Sequence, residues 1–269
     1  MKIAVIGHTG MGGRALTKEL LARGHQVTGL ARTVPDTPAH AGLTHIRADV
    51  FDTDALGAHL RGHDAVVSLF SGGHEVDLEV YYRQAEGTRR IIQAFKRSQG
   101  RYLLYVGGAA SLYVAPGVQM FDDPRFPAWY FGVMPAEHLR WLAEITGVGF
   151  FEDAARRKEE GLFAPGQTDP ELEQYVKPWT RVPLLEGCRI ALDLFAHRTD
   201  IRWSFLSPPW LYRPGKGSGS YSLGVDYMLF DNGIPAGIAL PDLVLALADE
   251  VENQAFAHKH WTVAGPQTA

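Results

Sequence analysis

The stretch Gly7-His8-Thr9-Gly10-Met11-Gly12-Gly13 decides how the chain is read. It follows Lys2 to Ile6, an apolar run rich in β-branched residues and the pattern of a buried parallel strand. It precedes Arg14 to Arg23, where Leu16, Leu20 and Leu21 recur at helical spacing. Gly7, Gly10 and Gly13 thus stand three residues apart between a strand and a helix. In such a turn the first glycine permits the tight bend and the second lets backbone approach a pyrophosphate. The third lets the helix pack on the sheet. The helix N-terminus adds free N–H groups and partial positive charge for an anion. The pattern predicts a dinucleotide site with Gly7, Thr9, Gly10, Met11, Gly12 and Gly13 against the cofactor.

Working outward, Gln26 to Ala31 reads as a second strand closed by Arg32. An acidic residue there would bond the ribose hydroxyls of NAD, whereas arginine accommodates the 2′-phosphate of NADP. Asp36 comes four residues later in a Pro-rich loop. The pattern therefore favours NADP(H) over NAD(H), the alternative being a solvated surface arginine. Thr44 to Ala48 is a third strand, followed by Asp49 and Val50 at the edge where doubly wound sheets hold ligand. Asp49 either meets the adenine amino group or closes a turn. Asp64 to Phe70 is a fourth strand that places Ser68 and Phe70 near the cofactor and ends in Ser71-Gly72-Gly73. A long helix over Glu79 to Ser98 and a fifth strand over Arg101 to Val106 lead to Gly107-Gly108-Ala109-Ala110-Ser111, where Gly107 and Gly108 can lie against the cofactor. Strands alternating with helices give an α/β fold, a Rossmann-type doubly wound parallel sheet with helices on both faces. Arg202 to Leu206 is the sixth strand and Trp261 to Ala264 the last. Ser220 to Leu223 with Tyr227 to Phe230 reads as a small β unit closed by Asp231-Asn232-Gly233, and Leu240 to Val251 as a helix. These C-terminal pieces form a small substrate-side lobe.

Composition limits the alternatives. The 269 residues are 46% apolar, enough for a core, and the net charge is −4 with no basic run of five or more. That argues against nucleic acid or an anionic membrane as partner. Cys188 is the sole cysteine, so neither an internal disulfide nor a cysteine-cluster metal site can form. His258 and His260 alternate on one face, but no carboxylate at ligand spacing supports a metal site. Without a signal-peptide pattern or an apolar run of membrane length, the expectation is a soluble cytoplasmic protein whose main partner is a small-molecule substrate.

By Ser111 the chain resembles the short-chain dehydrogenase/reductase superfamily. Within it the likeness is to the atypical branch of NADH-flavin-reductase-like and biliverdin-reductase-B-like proteins, with NmrA-like proteins as relatives. The residues that carry it are Gly7 to Gly13, Arg32, Asp49-Val50, Val106 to Leu112, Val114-Ala115-Pro116-Gly117 and Asp122 to Pro127. They continue with Trp203 to Pro208, Ser220 to Gly224, Pro241 to Glu250 and Trp261-Thr262-Val263. The resemblance implies that Ser111 occupies the position that polarises a substrate carbonyl. It also implies a Tyr-x-x-x-Lys pair on the following helix to supply a proton. A phenol beside an ammonium can donate to a developing alkoxide, and a spacing of four puts both on one helix face.

That pair is missing. The one match in the chain is Tyr212 with Lys216, but Arg213-Pro214-Gly215 between them makes a loop. The expected helix, Leu184 to His197, has neither tyrosine nor lysine. Hydride transfer to a flavin or quinone gives a delocalised anion that solvent can protonate, so a protein without the pair has mainly to stack its acceptor on the nicotinamide. The expected function is an NADP(H)-dependent reductase of a flat conjugated acceptor. The alternatives are a non-catalytic NADP(H)-binding regulator of the NmrA-like kind, or an isomerase or dehydratase that retains its cofactor. Ser111, Tyr113 and Lys177 are the catalytic candidates, with Glu186 and Arg189 as substitutes.

The chain reads as one domain over residues 1–269 with a helical insertion over 130–180. Helices are predicted at Pro135 to Thr146 and Phe150 to Glu160, with a third opened by Asp169-Pro170-Glu171. Trp129, Tyr130, Pro208 and Trp210 are the expected pocket walls, and the insertion is either a lid or an element of a homodimer. The Arg156-Arg157-Lys158 run is expected to be solvated. Replacing Arg32→Glu should weaken NADPH much more than NADH in equilibrium titrations; an equal loss of both would remove the 2′-phosphate assignment.

Overall fold

The first strand, Lys2–Ile6 (β1), shows how the sheet is clothed. Ile3 and Val5 point into one apolar layer, and Ala4 and Ile6 into the other. A strand buried on both faces can therefore be continuously apolar. In the computed structural model, residues 1–34, 41–73, 77–164, 166–179 and 182–266 are described; Asp36, Pro165 and Thr180 lie outside them.

After β1 come α1 (Met11–Ala22), β2 (Gln26–Ala31), β3 (Leu43–Arg47), α2 (Thr53–Leu60), β4 (Ala65–Ser68), α3 (Leu78–Ser98) and β5 (Leu103–Val106). A 3₁₀ turn over Ala109–Ser111 leads to the short pair β6 (Tyr113–Ala115) and β7 (Val118–Gln119). Five helices follow: α4 (Ala128–Gly132), α5 (Ala136–Thr146), α6 (Gly149–Glu159), α7 (Pro170–Val176) and α8 (Pro183–Asp193). The rest is β8 (Trp203–Leu206), β9 (Leu211–Arg213), β10 (Ser222–Val225), β11 (Phe230–Asp231), β12 (Ile234–Pro235), β13 (Gly237–Ala239), α9 (Leu240–Asn253) and β14 (His260–Ala264).

The main sheet has the order β10-β14-β8-β5-β4-β1-β2-β3, and every pairing except β10 with β14 is parallel. This is the doubly wound Rossmann-type arrangement. Leu16 and Leu20 of α1 pack with Leu243, Leu247 and Val251 of α9 on one face. Leu56 of α2, Ile91 and Phe95 of α3 and Ala191 of α8 cover the other. The strand order reverses between β1 and β4, so the crevice at the switch point opens beside the glycine turn.

The C-terminal β unit forms differently from its expected pairing. Ser222–Val225 joins the main sheet antiparallel to β14, and the Asn232-Gly233 turn instead closes β11 on β12. Asn232 and Gly233 both have positive φ, the requirement of a tight hairpin turn. His258 lies outside β14, with positive φ and its Nδ1 3.3 Å from the Arg198 carbonyl, so it does not share a strand face with His260. Tyr82 is exposed on α3.

Helices α4 to α7 build a third apolar cluster from Phe131, Leu139, Phe151, Leu172 and Val176. Their charges turn inward more than the sequence predicts. Asp169 is fully buried, caps α7 by accepting from Glu171 N and Leu172 N at 3.0 and 3.2 Å, and pairs with Arg157 at 2.8 Å. Lys158 donates to the Gly132 carbonyl at 2.7 Å, and burial lowers its pKa. Arg157 and Lys158 thus hold α6 to its neighbours, while Arg156 stays outside on Asp153. A cap of this kind contributes about 1 kcal/mol, and breaking a buried ion pair costs about 3–5 kcal/mol.

On α5, His138 is buried with an unpaired Nδ1, and burial together with nearby Arg213 pushes its imidazole down to about 3. The unfolded chain takes up a proton near pH 6.5 that the folded chain refuses, so stability rises with pH and falls as pH drops from about 6.5 towards 3. Glutamine cannot titrate. Urea unfolding should show His138→Gln losing less stability than the parent between pH 7 and pH 5, by about 2 kcal/mol; parallel pH profiles would refute the burial argument.

Candidate functional site

The glycine turn is shaped by contacts that exclude side chains. Gly7 has φ +81°, and a β-carbon there would stand 2.8 Å from the Leu69 carbonyl oxygen. A β-carbon on Gly13 would stand 2.2 Å from the Gly7 carbonyl oxygen and 2.6 Å from His8 Cα. Helix α1 can therefore start directly over the end of β1. Gly7 N–H donates to the Leu30 carbonyl at 2.9 Å, and Gly10 N–H to the Gly7 carbonyl at 3.1 Å. Gly10 is the N-cap and supplies no side-chain cap, and the first turn holds no acidic residue. The first-turn amides of Met11, Gly12 and Gly13 have no partner within the helix. Gly10 is exposed, and its missing β-carbon would touch little besides the Gly7 carbonyl at 3.4 Å. This donor set and open cradle fit a dinucleotide diphosphate.

His8 points the other way. Its ring occupies the space over Gly29 of β2, lies 4.9 Å from the His45 ring, and is buried with Nε2 unpaired. Burial and then His45 lower its pKa, so a neutral ring backs the turn. Arg32 follows β2 and is exposed. Asp49 is exposed and its carboxylate accepts from Phe51 N at 3.0 Å, while Val50 is buried beside it. Ser68 is buried at the end of β4, and Phe70 fills the space over Gly87 of α3. Gly107 and Gly108 follow β5, where β-carbons would strike Phe205 and the Cys188 sulfur.

Two buried polar groups fix these loops. Gln84 of α3 accepts from Gly72 N at 2.7 Å and donates to the Tyr105 hydroxyl at 3.0 Å. That hydroxyl also lies 2.6 Å from Thr88 Oγ1. Gly187 of α8 allows the approach, since a β-carbon there would stand 2.8 Å from Gln84 Cβ. Ser111 is the second group. It is fully buried, and its hydroxyl donates to the Gly108 carbonyl at 2.8 Å. Ser207 Oγ lies 2.7 Å from Ser111 Oγ and 2.9 Å from His260 Nε2. With Ser111 donating to Gly108, Ser207 donates to Ser111 and the imidazole Nε2–H donates to Ser207. His260 Nδ1 is buried and makes no hydrogen bond, with Asp226 Oδ1 3.3 Å away. Sequence spacing shows no partner for His260, because Ser207 and Asp226 reach it only through the sheet.

The remaining candidates are spread over several elements. Tyr113 is half-buried, with its ring 6.0 Å from that of Tyr227. Lys177 is exposed at the C-terminal end of α7. Glu186 and Arg189 lie on α8, where Arg189 pairs with Asp122 at 2.7 Å and Gln119 Oε1 at 2.7 Å. Trp129, Tyr130 and Trp210 meet: Trp210 Nε1 donates to the Tyr130 carbonyl at 2.9 Å, and Trp129 packs edge-on to Tyr130 at 4.9 Å. Tyr130 is fully buried with its hydroxyl on Asp123 at 2.9 Å, and Pro208 is buried, so neither offers open surface. Trp129 is partly exposed beneath the Arg125 guanidinium at 4.2 Å. Cys188 is buried, and its thiol is pushed up to about 12. Two open depressions at the opposite edge of the sheet are lined by residues such as Met1 and Asp64, away from the crevice.

Fold and turn together define a Rossmann-type dinucleotide-binding protein. Residues 7–139 match the sequence model of a family described as NAD(P)H-binding. The protein YwnB of Bacillus subtilis, itself uncharacterized, is 27% identical over 266 residues, spanning 98% of each chain. A crystal structure of a candidate epimerase from Bacteroides thetaiotaomicron superposes with a TM-score of 0.72 at 25% identity, covering 100% of this chain and 98% of that one. A candidate NADH-flavin reductase from Streptococcus pneumoniae shares the fold with a TM-score of 0.69 at 22% identity, over 98% of this chain and 99% of the other. Among the described residues no helix is long and apolar enough to cross a membrane.

Ser207→Ala should leave the buried His260 Nε2–H without an acceptor and cost about 1–3 kcal/mol. Urea unfolding with an unchanged m-value would register that loss, and wild-type stability would show the chain of hydroxyls to be dispensable.

Proposed function

We propose that the protein is an NADP(H)-dependent reductase that passes hydride to a flat conjugated acceptor of the flavin or quinone class. One observation carries the reading. An open glycine turn at the switch point faces a β5 loop whose neighbouring helix, α8, presents a buried thiol beside Gly108 and neither tyrosine nor lysine. Bound NAD(P)H supplies the hydride. The first-turn amides of α1 hold the diphosphate, and Arg32 takes the 2′-phosphate. Asp49, Val50, Ser68 and Phe70 border the adenosine side. Gly107 and Gly108 let the acceptor lie close to the nicotinamide.

Ser111 acts in this reading by holding the Gly108 carbonyl, and so the loop under the acceptor, in place. Tyr113 and Lys177 are the side chains left to meet the acceptor or its proton. The lobe of α4 to α7, with Trp129 at its border, serves as a lid over the crevice. The whole chain works as one unit, with residues 130–180 as an insertion in it. The full burial of Ser111, with both its hydroxyl contacts taken, favours one second reading: a non-catalytic NADP(H)-binding regulator.

NADPH oxidation followed at 340 nm against a panel of flavins, quinones and simple ketones separates the two. Turnover with flavins or quinones and none with ketones is the expected result. Tight NADPH binding without oxidation by any acceptor would favour the regulator, and ketone reduction would require a proton donor that this reading does not contain.

A further inference from the structure

The Tyr212 ring stands across the crevice from the glycine turn. Its residue pairs with Ile238 on the short parallel ladder of β9 and β13, outside the main sheet. Its hydroxyl lies 3.6 Å from the point where a β-carbon on Gly12 would stand. Gly12 belongs to the first turn of α1, and the Leu69 side chain, 2.9 Å from the same point, packs there beside the hydroxyl. No hydrogen bond is made by this hydroxyl to any described residue, although the ring is largely enclosed. The residue is partly exposed, so the hydroxyl is free to meet a ligand.

The position of the ring is set from behind. Trp141 of α5 packs edge-on against it, with ring centroids 6.3 Å apart. The next residue, Arg213, pairs with Glu137 on the same helix at 2.5 Å. Burial pushes the phenol up to about 12, so near neutral pH it is a protonated donor. A donor is what a diphosphate lacks on the side away from the helix N-terminus.

We propose that Tyr212 is a cofactor-binding residue, whose hydroxyl donates to the diphosphate of the dinucleotide held on the glycine turn. The inference rests on the NAD(P)H-binding reading of that turn and is independent of the acceptor. Tyr212 and Lys216 do not act as a proton-donating pair: Tyr212 is on a strand and Lys216 in the exposed loop beyond it. The phenol works alone, as the second wall of the phosphate site. Since α5 braces it, the helical lobe reaches the cofactor through this ring as well as covering the acceptor.

The test is Tyr212→Phe, with nucleotide affinity measured by calorimetry. A lost hydrogen bond to a charged group should raise the dissociation constant for NADPH about tenfold or more. Adenosine 2′-monophosphate, which carries no diphosphate, should bind both proteins equally. The unliganded variant should melt no lower than wild type, because the hydroxyl has no partner to lose. Unchanged NADPH affinity, or a lower melting temperature with affinity intact, overturns the assignment and makes the hydroxyl structural. Equal weakening of NADPH and adenosine 2′-monophosphate also overturns it, since the diphosphate contact would then not be the cause. If wild type itself binds neither NADPH nor NADH, the reading of the glycine turn fails first.

Discussion

The approach of Gly13 to the backbone of Gly7 and His8 is the contact on which the rest depends. A β-carbon at 2.2 Å from the Gly7 oxygen cannot be relieved by a rotamer, because both sides are main chain. Its absence lets α1 begin one turn after β1 ends and brings the first-turn amides over the crevice. It also sets the packing of Leu16 and Leu20 on Val5 and Ile3, which continues into α9. The same close approach serves stability and ligand binding.

Around that fixed point the crevice is held by buried polar groups. Gln84 pins the loop after β4, and the Ser111–Ser207–His260 series pins the loop after β5. Each hydrogen bond contributes only about 1 kcal/mol net, but each group left unpaired would cost more than that. Such loops are therefore constrained less by the strength of the bonds than by the penalty for any arrangement that breaks them. A crevice built this way can keep glycines at both strand ends without losing its shape.

The fold was legible because its signals are local. Apolar runs, helical spacing and the glycine turn each lie within a dozen residues, and together they fix the order of strands. Asp169-Pro170 likewise announces the start of α7. The site was only partly legible. Gln84, Ser207, Asp226 and Tyr212 come from segments far apart in the chain, and nothing in the spacing links them. Gly187 was a signal that could have been used, because an isolated glycine inside a helix often marks close packing, here against Gln84. The basic run of α6 misled for the opposite reason. Charge composition points to solvent, yet Arg157 and Lys158 meet Asp169 and the Gly132 carbonyl, partners that only the folded lobe supplies.

Tyr212 shows why a motif and a role must be argued separately. Its spacing to Lys216 resembles a proton-donating pair, and Pro214-Gly215 correctly removes that reading. What survives is the position of the tyrosine: a strand after β8 returns the chain to the mouth of the glycine turn, and α5 stands behind it through Trp141 and Glu137. A helical lobe tied to β9 at two points, Trp141 on Tyr212 and Glu137 on Arg213, cannot shift without moving the Tyr212 ring. The lobe is itself packed on the apolar cluster of Phe131, Leu139, Phe151 and Leu172, so it is a stiff support for that ring.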